Sequence, residues 1–262
     1  MIDWEDAFQN AAYIAGAEGY PGAWAARAAA FRAGARGDLD LAYGTHARAR
    51  LDLFRPEGAA RGLVVFVHGG YWLKFDKSFW SHLAAGALAR GWAVALPGYT
   101  LAPEVSISEI TTQIGAAVAH AAGLVAGPVR LAGHSAGGHL VTRMICDDSP
   151  LAPETRARIA RVVSISGLHD LRPLLATGMN AQLRLTPETA AAESPVLHTP
   201  LPGIPVTAWV GGDERPEFLR QSALLREAWA ADLEVAKGRH HFDVIEDLCA
   251  PDSGLTEALL SG

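Results

Sequence analysis

Leu63-Val64-Val65-Phe66-Val67 is an unbroken apolar run bounded by Gly62 and by His68-Gly69-Gly70. A strand that is apolar on both sides of its pleat must be covered on both faces, the situation of strands in a parallel sheet flanked by helices. The rest of the chain repeats the theme. Strands are expected over 92–96, 129–132, 162–166, 206–210 and 233–236. Between them, helical patterns run through 78–90, 106–126, from Ala136 onward and near 216–231, with a terminal helix after His240-His241. Residues 48–54 alternate with a period near two and stop before Pro56, as a half-exposed strand would. Such alternation of strand and helix implies an α/β architecture, a mostly parallel sheet with helices on both faces. In such sheets ligands bind beyond the carboxyl ends of the strands, so the residues that follow each strand carry the functional information.

The chain has 262 residues, half of them apolar and 19% charged, which suits one domain over residues 1–262. Within it, the aromatic, Ala-rich segment 1–36 reads as one or two helices broken near Tyr20-Pro21-Gly22, and the Pro-rich stretch 173–205 as a small cap. A net charge of −6, with no run of like charge, removes the basic footprint that nucleic acid or an anionic membrane would require. Two cysteines, Cys146 and Cys249, are too few for a disulfide scaffold and lack metal-ligand spacing. The first residues lack the basic and apolar regions of a signal peptide, and there is no 18-residue apolar run. A soluble, reducing compartment, the cytoplasm, is the expected location.

Gly133-His134-Ser135-Ala136-Gly137 follows one of the expected strands and opens a helical pattern. A G-x-S-x-G sequence in that context turns so sharply that the serine hydroxyl projects above the sheet, and side chains at either glycine would crowd the turn. Ser135 is therefore the candidate nucleophile; a plain Gly-rich turn with Ser135 as a helix cap is the alternative. His68-Gly69-Gly70-Tyr71-Trp72 follows the 63–67 strand. Acyl transfer passes through an oxyanion that needs converging backbone N–H groups, and a Gly-Gly turn can aim them. The amides of Gly70, Tyr71 and Ala136 are the expected donors. His68 is expected to brace the loop, and Tyr71 and Trp72 either wall a substrate pocket or simply pack.

The pairing of His-Gly-Gly-Tyr-Trp with Gly-His-Ser-Ala-Gly-Gly-His-Leu resembles the kynurenine formamidase (arylformamidase) branch of the α/β-hydrolases, close to the hormone-sensitive-lipase-like esterases. Tyr99-Thr100-Leu101-Ala102-Pro103-Glu104, Ser166-Gly167-Leu168-His169-Asp170 and Gly212-Asp213-Glu214-Arg215-Pro216 are also similar to segments of that family. The resemblance implies the α/β-hydrolase fold, a triad in the chain order Ser, acid, His, and a homodimer. Asp213, on the turn after the 206–210 strand, is the expected acid, and the family's acid aligns there. Glu214 is the local competitor, able instead to cap the next helix, and Asp170 is a third candidate. The family pattern Asn-His-Phe aligns His241 with the base and puts His240 where the family has Asn; a second imidazole there could alter the first. His134 and His139, flanking the nucleophile, are expected to pack or support.

The mechanism these residues imply needs neither metal nor organic cofactor. His241 takes the Ser135 proton during attack on an acyl carbon, and Asp213 orients the imidazole. The expected substrate is a small ester or an aryl formamide such as N-formylkynurenine. Two other classes compete. A metallohydrolase would draw on His240, His241 and Asp213, which have no metal-site spacing. A non-catalytic binding protein on a hydrolase scaffold would usually have lost part of the triad or loop.

Overall fold

The computed structural model describes residues 2–261. Eight strands form one sheet: β1 (Gly37–Ala42), β2 (Arg50–Phe54), β3 (Leu63–Val67), β4 (Ala93–Pro97), β5 (Val129–His134), β6 (Ile159–Ile165), β7 (Val206–Gly211) and β8 (Asp232–Ala236). Their order is β1-β2-β4-β3-β5-β6-β7-β8. The β1–β2 and β2–β4 pairs are antiparallel and the remaining pairs parallel.

The apolar run that defines β3 is divided between two cores. Leu63, Val65 and Val67 join the cluster under the helices Ile107–Leu124 and Ala136–Arg143, whereas Val64 and Phe66 join the cluster under Tyr20–Gly34 and the terminal helix Gly254–Leu260. This is the alternation of a strand covered on both faces. The helix Ile107–Leu124 starts where the sequence says it should: Ser106 and Glu109 form a reciprocal capping box.

Four sequence expectations need adjustment. Strand β1 has no counterpart among the expected strands; its Gly and Asp residues are poor strand formers, and a register shift between Asp38 and Leu41, with Asp40 at φ 57°, interrupts its alternation. Flanked by β1 and β4, strand β2 is not half-exposed, and its Asp52 is buried against the Lys77 ammonium at 2.6 Å. The expected helix over 78–90 is two 3₁₀ turns, Lys77–Phe79 and Ser81–Ala84, followed by the short helix Ala85–Ala89. Tyr20-Pro21 begins the long N-terminal helix rather than breaking one, because Pro at the first turn gives up an N–H that has no intrahelical partner there.

Candidate active site

Ser135 lies between β5 and the helix Ala136–Arg143 with φ 55° and ψ −118°, a conformation that L-residues adopt only under constraint. Here the constraint is close packing of backbone. A Cβ on Gly133 would lie 2.1 Å from the Gly137 carbonyl oxygen, and one on Gly137 would lie 1.9 Å from the Val67 carbonyl oxygen. The Ser135 amide donates to the Ile165 carbonyl at 2.8 Å, tying the turn to β6. The loop after β3 runs alongside: a Cβ on Gly69 would be 2.9 Å from that of Ser135. Gly70, Tyr71 and Trp72 all have positive φ, which folds the loop back toward the serine.

His68 braces this loop, as expected. Its Nδ1 donates to the Gly69 carbonyl at 2.8 Å, and its ring stacks on Tyr99 with centroids 4.3 Å apart. Burial pushes its pKa down to about 4, so the ring is a neutral strut.

The His241 imidazole, the candidate base, is positioned from several sides. The His241 ring lies 4.4 Å from Phe218 and 4.7 Å from His134. His134 Nε2 donates to the His241 carbonyl at 2.9 Å, giving that residue a supporting role; burial holds its pKa well below the ordinary range. His139 packs, with its Nε2 donating to the Glu193 carbonyl at 2.7 Å.

The carboxylate behind His241 is not that of the expected acid, Asp213. His241 Nδ1 donates to Glu214 Oε2 at 2.6 Å, while Asp213 is exposed. The Gly211-Gly212 turn explains the exchange. The Asp213 amide is bonded outward to the Arg239 carbonyl, and the Glu214 amide curls back to the Gly211 carbonyl. Residue 213 therefore faces solvent, and residue 214 returns over the end of β7. The Glu214 carboxylate is fully buried, and its other oxygen accepts from the Gly211 amide at 2.8 Å and from the Ser166 hydroxyl. Asp170 is engaged elsewhere, pairing with Arg172 at 2.8 Å. His240 points away from this cluster: its Nε2 lies 3.1 Å from the Tyr20 hydroxyl, and its Nδ1 accepts from the Phe242 and Asp243 amides. With Asp213 outward and His240 turned to Tyr20, the metal set drawn from those residues does not assemble.

Ser135, His134, His241, Gly69, Gly70 and Tyr71 line one pocket of about 670 Å³. Tyr71 occupies the place expected of it, but Trp72 does not. Its ring is fully buried in the core with its edge on His139, centroids 5.2 Å apart, so it supports the loop from beneath. The pocket's far wall comes from residues the motifs could not reveal: Phe8, Trp24, Phe75, Trp80 and Phe242. Much of it belongs to the N-terminal segment, held down by a 2.7 Å hydrogen bond from the Tyr71 hydroxyl to the Phe8 carbonyl and by an ion pair between Arg215 and Asp6. From the expected cap, 173–205, only Met179 reaches the lining among the described residues.

A strained serine on a strand-to-helix elbow, a backbone loop beside it and a carboxylate-backed histidine on the same sheet edge define a hydrolase architecture. The chain belongs to the alpha/beta hydrolase family, whose model matches residues 64–256. It is 30% identical to the kynurenine formamidase of Danio rerio over 241 residues, 85% of this chain and 80% of the relative. Among solved structures it matches a Silicibacter sp. TM1040 protein, provisionally described as a thioesterase. That protein is 53% identical with a TM-score of 0.97, and the match covers 100% of both chains. An esterase from Pyrobaculum calidifontis, 19% identical, shares the fold at a TM-score of 0.69 over 93% of this chain and 90% of its own. No helix among the described residues is long and apolar enough to cross a membrane.

Proposed function

We propose that this protein is a serine hydrolase that cleaves aryl formamides of the N-formylkynurenine type through an acyl-enzyme, with Ser135 as nucleophile, His241 as base and Glu214 as the acid. The observation that carries this reading is Ser135 and His241 facing one pocket, with a fully buried carboxylate 2.6 Å behind the imidazole. Glu214 fixes the tautomer of His241 with the proton on Nδ1, leaving Nε2 free to take the Ser135 proton as Oγ attacks the formyl carbon. Negative charge that develops on the carbonyl oxygen meets the amides of Gly70, Tyr71 and Ala136, each worth roughly 3–4 kcal/mol of barrier. His241 then protonates the departing amine, and water repeats the sequence to release the acid.

The pocket supports an aromatic leaving group. Its walls are aromatic rings, and its rim carries Lys74 and Glu18, both exposed. They would meet the charged amino-acid end of such a substrate. Hydrolysis of short acyl esters uses the same machinery, and a pocket that made no use of the rim charges would favour it. The test is a comparison of kcat/KM for N-formylkynurenine, p-nitrophenyl acetate and an acyl thioester on the wild type and Ser135→Ala. The formamide is expected to be the best substrate, and the variant to lose about 100,000-fold. Full activity in Ser135→Ala would overturn the serine mechanism; preference for the ester or thioester would overturn the substrate assignment.

A further inference from the structure

Outside the hydrolase pocket, three side chains that are far apart in sequence converge. His82 is in the 3₁₀ turn Ser81–Ala84, and Glu246 and Cys249 are at the two ends of the turn Glu246–Cys249. One ligand atom from each lies within 4.8 Å of the other two. None of them lines the pocket that holds Ser135.

His82 is only 5% exposed, and neither of its ring nitrogens has a hydrogen-bond partner. Burying a polar group unpaired is costly, so an imidazole orphaned at both nitrogens marks a place where something else could bind.

A cation already occupies the mouth of this cluster. Arg27, from the helix Tyr20–Gly34, forms an ion pair with Glu246, and its Nη2 lies 3.5 Å from Cys249 Sγ. The Arg27 side chain is 46% exposed, so it can swing into solvent without breaking core contacts.

We infer that His82, Glu246 and Cys249 form a binding site for a divalent cation of the zinc type, which displaces the Arg27 guanidinium. One imidazole nitrogen, one carboxylate oxygen and one thiolate sulfur are the donor set that zinc accepts in tetrahedral sites, with water completing the fourth position. On binding, the metal takes the lone pairs of all three groups. The Cys249 thiol, whose proton now points to the His82 carbonyl at 3.6 Å, gives that proton to solvent. No oxidant or reductant enters. The site is structural or regulatory in placement, since it ties two turns together away from the nucleophile and releases the Arg27 link to the N-terminal helix.

The test uses the full-length protein stripped with a chelator, titrated with cadmium to read the thiolate charge-transfer band and with zinc against a chromophoric chelator. One equivalent should bind with the band present. Cys249→Ser should abolish the band, and His82→Asn should weaken zinc binding by at least roughly tenfold. Arg27→Gln, an exposed change that leaves all three ligands intact, should tighten binding by about tenfold because no guanidinium competes. Cys146→Ser controls for the second group of donor side chains, Cys146, Asp148 and His198, and should change nothing. Hydrolase turnover of each variant reports that it is folded. The assignment is overturned if the wild type gives no band, if Cys146→Ser removes it, or if Arg27→Gln binds no tighter than the wild type.

Discussion

The two halves of the candidate catalytic centre are built from different materials. The serine half, β5 with its elbow and the loop after β3, is shaped by backbone: two glycines that admit no Cβ, positive φ at Gly70, Tyr71, Trp72 and Ser135, and carbonyls at packing distance. The imidazole–carboxylate half, the ends of β6, β7 and β8, is shaped by side chains: Glu214 held by Ser166 and the Gly211 amide, and His241 held by His134, Phe218 and Glu214. Backbone shaping tolerates no substitution and therefore leaves a fixed signature in the sequence. Side-chain shaping can be met by neighbouring positions of similar chemistry, so it does not.

That contrast predicts that the side-chain half fails at one carboxylate and not at its neighbour. Glu214→Gln is expected to lower kcat by about 10,000-fold through loss of the tautomer and of imidazolium stabilisation, while Asp213→Asn changes it by less than about threefold. Equal losses at both positions, measured on purified folded variants, would erase the distinction.

Buried neutral histidines set a response to acid. His68 and His169 have pKa values pushed down by burial to about 4, and His139 to about 3. The unfolded chain takes up protons at these rings below about pH 6.5 while the folded one does not, so stability falls as pH drops from there toward 4. Denaturant unfolding at pH 7 and pH 5 should show a loss on the order of a few kcal/mol, and equal stability would mean the rings are not held neutral.

The backbone half should fail through folding rather than chemistry. Gly137→Ala puts a methyl 1.9 Å from the Val67 carbonyl oxygen, and about 3 kcal/mol of destabilisation is expected by thermal or chemical melting. The smallest effect sharpens a second contrast, between the sheet side of the pocket and its N-terminal wall. Tyr71→Phe removes the hydroxyl that holds the Phe8 carbonyl at 2.7 Å, worth about 1 kcal/mol, so KM should rise about fivefold with kcat unchanged. A fall in kcat instead would mean that the wall also orders the loop amides.

The sequence determined the sheet and its two-sided burial, since the unbroken apolar run of β3 can be satisfied in no other way. It also determined the elbow that carries Ser135, because Gly133 and Gly137 are demanded by atomic overlap, and the placing of His241 after the last strand. The choice between Asp213 and Glu214 was not legible. Both are carboxylates on one turn, and only the pairing of the Asp213 amide with Arg239 decides which faces inward. The same holds for Trp72, an aromatic residue beside the oxyanion loop whose ring turned down into the core. It holds too for the pocket wall, made in large part by an N-terminal segment with no motif of its own, and for His82, Glu246 and Cys249, which meet only because two turns pack together. Local sequence encodes what a backbone conformation requires of its own residues; which side chains from distant segments come within reach of one another is decided by packing.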